Sequence, residues 1–134
     1  MRVVIDTNVL VSGIINPHGP PGRIVDAILS ETVTVLYDDR ILSEYREVLM
    51  RPVFRFERTD VDTILDFMEV AGEHISAKEV ESILPDPTDL PFLEVAIAGV
   101  ADALISGNLK HFNPRRGQHN VKVCSPAEFL RRIA

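Results

Sequence analysis

Val3-Val4-Ile5 begins the chain as a run of β-branched residues that stops abruptly at Asp6-Thr7-Asn8. A short apolar run closed by polar residues suits a central strand of a parallel sheet, buried on both faces. After Val9-Leu10-Val11 and Ser12-Gly13, the segment Asn16-Pro17-His18-Gly19-Pro20-Pro21-Gly22 carries a strong loop signal. Arg23 to Ser30 follows with Ile24, Val25, Ile28 and Leu29 at helical spacing, and Val33 to Tyr37 reads as the second strand. The opening is therefore strand, loop, helix, strand, a unit whose crossover should be right-handed.

Asp38-Asp39 predicts a cap for a helix running to about Met50, with Ile41, Leu42, Tyr45, Val48 and Leu49 as its apolar stripe and Pro52 beyond its end. A further helix is predicted over about Asp60 to Ala71, carrying Val61, Ile64, Leu65 and Met68 on one face, with Thr59 or Asp60 at its cap. Gly72 lies just past it, the favoured place for a C-terminal glycine. Glu73-His74-Ile75 is a short edge-strand candidate, and Lys78 to Leu84 stays open between a short helix and a connector.

Pro85-Asp86-Pro87-Thr88-Asp89 is a loop, Leu90 to Ala101 a largely buried helix, and Ala103-Leu104-Ile105 a strand ending at Ser106-Gly107-Asn108. Val121-Lys122-Val123 is the last predicted strand. Ser125-Pro126-Ala127-Glu128 then has the arrangement of a capping box with proline at the first helical position. The alternation predicts an α/β fold: a three-layer αβα sandwich around a mostly parallel central sheet of four to five strands. With no repeat or linker, residues 1–134 are expected to form a single domain.

Composition changes this picture little. The net charge of −6 offers no global basic field for nucleic acid or membranes, yet a carboxylate-built metal site is itself acidic and its cation inverts the local field. One cysteine, Cys124, excludes an internal disulfide and fits a reducing cytoplasm. No secretory leader is expected. Val95 to Ile105, broken by Gly99 and Asp102, is too short to span a bilayer.

The chemistry lies in the acids. Asp6, ending the first strand, stands at the sheet edge where open α/β folds place ligands, although Asp6 and Asn8 could merely shape a turn. Glu44 borders an apolar helix stripe, and a glutamate there costs free energy unless it is paired. A surface pair with Arg40 is the alternative, in the poorer of the two orientations. Asp89 could cap the buried helix, unless Thr88 does so and frees it. Asp86 is a weaker candidate, and Asp102 flanks its strand at the amino end, the wrong edge for a site shared with Asp6. Ser106 and Asn108 lie at the correct end and could hold a water or a phosphate. Asp6, Glu44 and Asp89 gathered in one crevice suit Mg²⁺ or Mn²⁺, ions able to activate water and neutralise a phosphodiester. The chain lacks G-x-S-x-G, G-x-x-x-x-G-K-[ST] and G-x-G-x-x-G motifs, and its four histidines show no zinc-like spacing.

Ile5-Asp6-Thr7-Asn8-Val9-Leu10, Glu44, Asp89 and Leu104-Ile105-Ser106-Gly107-Asn108-Leu109-Lys110-His111-Phe112 together resemble the PIN domain. The resemblance spans essentially the whole chain and is greatest to the toxin components related to VapC ribonucleases. It implies a cytoplasmic endoribonuclease dependent on Mg²⁺ or Mn²⁺, a homodimer, and an antitoxin that blocks the site. Asp6, Glu44 and Asp89 match the family's first three acidic positions. The fourth position here is Asn108, which supplies no negative charge, so Asp102 or Asp86 could stand in. Asn8 and Ser106 match polar pocket positions.

Lys110, His111, Arg115, Arg116, Arg51, Arg55 and Arg58 are candidates for RNA phosphates, and Phe54 and Phe56 for stacking on bases. Solvated charge and core packing are the plainer roles for each. A catalytically weak or inactive scaffold that binds RNA or a protein is the alternative function. A phosphatase with Asp6 as nucleophile is disfavoured, because Asn8 stands where such enzymes carry a second aspartate.

Overall fold

The computed structural model describes residues 1–80, 84–112 and 121–133. The elements run β1 (Arg2–Ile5), α1 (Thr7–Ile15), α2 (Pro20–Leu29), β2 (Thr34–Tyr37), α3 (Asp39–Leu49), α4 (Arg58–Ala71), β3 (Glu73–His74), α5 (Leu90–Ala98), β4 (Ala103–Ile105), β5 (Val123–Cys124) and α6 (Pro126–Ile133). Single helical turns occupy Pro52–Phe54, Pro87–Asp89 and Leu109–Phe112.

The five strands form one parallel sheet in the order β3-β2-β1-β4-β5. Val3, Val4 and Ile5 occupy its centre with at most 1% exposure, as a strand covered on both faces requires. Each such side chain contributes about 1.5–3 kcal/mol by burial. The chain moves outward from β1 to β3 and then returns past β1 to β4. The outward crossovers are made by α1 and α2 and then by α3 and α4, and the return crossover by α5; a general preference makes such crossovers right-handed. Consistently, α5 packs on β1, β2 and β4, and α2 packs on both α1 and α6. The result is the expected α/β sandwich.

Two elements differ from the sequence expectation near the amino terminus. Residues 7–15 form α1, where no helix is predicted, and Pro20 and Pro21 lie inside α2 rather than in a loop. The prolines cost nothing there, because the first turn of a helix needs no N–H from them. For α1 the cause is tertiary: Thr7, Val9, Leu10, Val11 and Gly13 are all buried. Gly13 permits the close approach of α2, since a Cβ at this position would lie 2.7 Å from Pro21 O and 2.6 Å from Val25 Cγ2.

Elsewhere the shifts are small. The cap position of α4 is Glu57 rather than Thr59 or Asp60, α5 ends at Ala98, and β5 is Val123–Cys124. Gly72 ends α4 in extended backbone, not in the left-handed region. It is glycine because a Cβ would meet Val35 O at 2.6 Å and Met68 O at 2.5 Å. The capping box is present: Glu128 N–H donates to Ser125 Oγ (3.1 Å), and Ser125 N–H donates to Glu128 Oε1 (3.3 Å). Among the described residues no helix is long and apolar enough to cross a membrane.

Candidate active site

Parallel pairing places Ile5 beside Ile105, so the residues that follow each strand emerge together at the carboxyl edge of the sheet. Asp6 N–H donates to Ile105 O (2.9 Å), and Ser106 N–H donates to Cys124 O (3.0 Å). The side chains then meet, with Ser106 Oγ donating to Asp6 Oδ2 at 2.7 Å. Asp6 occupies the N-cap position of α1, yet its carboxylate makes no capping bond to that helix. It is turned to Ser106 and the cleft instead. Burial pushes its pKa up, the hydrogen bond from Ser106 and the nearness of the Thr7 backbone N–H and of His111 oppose that rise, and the charge of Asp86 adds to it.

Glu44 reaches the same cleft from α3, where its carboxylate accepts the Thr7 hydroxyl hydrogen from α1. Arg40 is not its partner. Arg40 holds Asp38 (2.8 Å), the capping residue of α3, and the buried Glu94 of α5 (2.7 Å).

Asp89 enters from the start of α5. Asp86, rather than Thr88, relieves it of capping: Asp86 Oδ1 accepts from Thr88 N–H (3.0 Å) and Thr88 Oγ1 (2.8 Å), while Asp89 makes no capping bond. Asp89 is 7% exposed, and its Oδ2 is fully buried without a hydrogen-bond partner. His111 Nδ1 lies 3.0 Å from that oxygen, within ion-pair distance when the ring is protonated. Burial first, and the neighbouring Asp6 charge second, raise the Asp89 pKa from 3.8 to about 6.

Asp6, Thr7, Asn8, Glu44, Asp89 and His111 line an open cleft of about 290 Å³ together with the apolar side chains of Val11, Val48 and Phe54. Asn108 is not part of that lining. Its N–H donates to Ser106 Oγ (3.0 Å), and its side-chain Nδ2 lies 2.8 Å from His111 Nε2.

A PIN domain model matches residues 2–110. The chain belongs to the PIN domain family. It is 30% identical to the uncharacterized protein MJ1680 of Methanocaldococcus jannaschii over 140 aligned residues, which cover 97% of this chain and 90% of that protein. Its fold is similar to that in the crystal structure of VapBC2 from Rickettsia felis bound to a DNA fragment from their promoter. The TM-score is 0.56, the identity 22%, and the match covers 93% of this chain and 98% of that one.

In this PIN domain Asp6, Glu44 and Asp89 thus reach one cleft. Among the described residues, however, no three His, Cys, Asp or Glu side chains are gathered tightly enough to surround an ion, and the Glu44 carboxylate is engaged by the Thr7 hydroxyl. The donor chemistry still fits a hard divalent cation. A buried carboxylate oxygen without a hydrogen-bond partner and two acids that resist ionising beside each other are what such a cation relieves.

The remaining candidates scatter. Asp86 is absorbed by Thr88, which lowers its pKa, although its charge is felt at Asp6 and Asp89. Asp102 lies at the opposite sheet edge and accepts from Arg2 N–H (2.8 Å). Lys110 is exposed near the cleft. Arg51 pairs with Glu47 (2.9 Å), Arg58 lies 3.9 Å from Asp62, and Arg55 is exposed with φ 57°. Phe54 stacks on Phe56 with ring centroids 5.5 Å apart and planes 12° apart. Arg115 and Arg116 lie outside the described residues. Sequence reasoning missed Thr7 as the partner of Glu44, because that role depends on α1; its one signal was a hydroxyl directly following Asp6.

Proposed function

We propose that this PIN-domain protein is an endoribonuclease dependent on Mg²⁺ or Mn²⁺ that hydrolyses RNA phosphodiester bonds. The observation that carries this reading is the buried Asp89 Oδ2, without a hydrogen-bond partner and 3.0 Å from His111 Nδ1, on a residue that shares its cleft with Asp6 and Glu44. Asp6, Asp89 and Glu44 would hold the cation, and the chemistry it supplies is charge neutralisation on the phosphodiester and a more acidic attacking water. The chain's own residues supply orientation. Ser106 fixes the Asp6 carboxylate, Thr7 restrains Glu44, and the apolar side chains of Val11, Val48 and Phe54 offer a dry surface to a base in the cleft of the acids.

A role as the toxin of a toxin–antitoxin pair is in keeping with the likeness to VapBC2; the proposal includes a cytoplasmic homodimer blocked by its antitoxin. Lys110, with Arg51, Arg55, Arg115 and Arg116, would meet RNA phosphates around the cleft. Purified protein with Mn²⁺ and a structured RNA is expected to cleave, and Asp6→Asn to abolish cleavage. Cleavage that persists in Asp6→Asn would overturn the assignment.

A second reading, a scaffold that binds RNA or a protein without cutting, is favoured by the uncharged Asn108 and by the loose spacing of the acids. Calorimetric titration separates the two. An absence of divalent-cation binding at millimolar metal would select the scaffold.

A further inference from the structure

We propose that His111 is a nitrogen ligand in the metal site, and that Asn108 is the positioning residue that aims it. The proposal rests on the metal-dependent reading above and deepens it by naming the donor set. His111 lines the acidic cleft, with Nδ1 3.0 Å from Asp89 Oδ2, a buried oxygen that lacks a hydrogen-bond partner. A cation seated at that oxygen therefore has an imidazole nitrogen as its next neighbour. The other ring nitrogen, Nε2, lies 2.8 Å from the Asn108 amide. The Asn108 backbone is itself fixed to Ser106 Oγ, the hydroxyl that also holds Asp6. Asn108 is therefore joined to the imidazole and is absent from the cleft lining.

The chemistry of the pair is consistent with this role. An amide nitrogen only donates, so Nε2 accepts in the present arrangement and the ring proton sits on Nδ1. Turning the amide over presents its carbonyl to Nε2–H and leaves the Nδ1 lone pair facing the acids. Metal-bound histidines are oriented in this way, by an outer group that accepts the other ring N–H. An imidazole among carboxylates also shifts preference from Mg²⁺ toward Mn²⁺ and the later first-row ions.

The test is Mn²⁺ titrated into the full chain, followed by calorimetry and pulsed EPR. Wild type is expected to show ¹⁴N modulation from a directly bound imidazole, and His111→Ala to lose it together with the Mn²⁺-over-Mg²⁺ preference. Asn108→Ala should keep the nitrogen signal and bind Mn²⁺ about tenfold more weakly, the smaller end of the range for an outer-shell partner. Mn²⁺ bound with no nitrogen coupling in wild type would overturn the proposal and leave the carboxylate site standing. Unchanged affinity in Asn108→Ala would remove Asn108 from its role. No Mn²⁺ binding at all, in wild type, would overturn both this proposal and the nuclease reading.

Discussion

Ser106 Oγ donates to Asp6 Oδ2 across 2.7 Å, joining two buried side chains at the ends of adjacent strands. The same hydroxyl accepts from Asn108 N–H at 3.0 Å, so one small side chain holds both an acid of the cleft and the turn after β4. Ser106→Ala therefore removes a donor from a buried carboxylate and leaves a backbone N–H without its partner. The expected cost is about 1–3 kcal/mol in urea denaturation. The Asp6 pKa should rise further, because the lost hydrogen bond is one of the influences that lowers it. An NMR titration of the Asp6 carboxyl checks this. A fall would mean that Ser106 does not stabilise the ionised form.

Asp89 makes the metal-free protein sensitive to pH. Its pKa is about 6 in the folded state against 3.8 ordinarily, so the folded state binds more protons between those values. Stability must then decline as pH rises through that window and level off above it. Asp89→Asn is expected to flatten this slope and to make the metal-free protein more stable at pH 7, by about 1 kcal/mol. Thermal melts in chelator from pH 4 to pH 8 measure both effects. A variant that is no more stable than wild type at pH 7 would show that Asp89 is not strained by its surroundings.

Much of this site was legible from local pattern. Val3-Val4-Ile5 announced a central strand, and Ser125 and Glu128 announced their capping box, because each signal is contained in a few adjacent residues. Asp6, Glu44 and Asp89 could be singled out for a similar reason: each interrupts an apolar element or borders one. Helix α1 was not legible. Val9, Val11, Ile14 and Ile15 are β-branched and flank Ser12-Gly13, so local propensity opposes a helix that packing against α2 and α3 imposes. Everything dependent on α1 was hidden with it, including the contact from Thr7 to Glu44. The exchange of capping duty from Asp89 to Asp86 was also invisible, because it rests on the turn at Pro87–Asp89. The link from Asn108 to His111 depends likewise on the turn at Leu109–Phe112.

Glu94 tests how far a buried charge outside the cleft supports the scaffold. It is 4% exposed on α5 and accepts from Arg40 (2.7 Å) and from Val80 N–H (2.8 Å), joining α3 and the segment before residue 81 to one helix. Arg40→Ala leaves the carboxylate uncompensated and should cost about 2 kcal/mol. That is less than for a fully buried pair, because Arg40 remains 45% exposed. Adding Glu94→Gln removes the stranded charge while keeping an acceptor for Val80. The double variant is therefore expected to be more stable than Arg40→Ala alone. Strict additivity in that cycle would show that the two side chains are not coupled.

Phe54 carries the prediction that bears most directly on substrate. It lines the same cleft as Asp6 and Asp89 and stacks on Phe56, which is not among the lining residues and whose ring lies nearly parallel to it. A half-buried aromatic ring supported by a second ring is a surface on which an unpaired base can stack, at about 1–3 kcal/mol per base. Phe54→Ala should therefore raise KM for a single-stranded RNA by about tenfold while leaving kcat near its wild-type value, since the ring is placed to meet the base and not the phosphodiester. Val53→Ala is the control, because Val53 is 78% exposed and does not line the cleft. A Phe54→Ala protein that melts lower but cleaves with unchanged KM would assign the ring to packing alone. A fall in kcat without a change in KM would place it nearer the reacting groups than a base-stacking role implies.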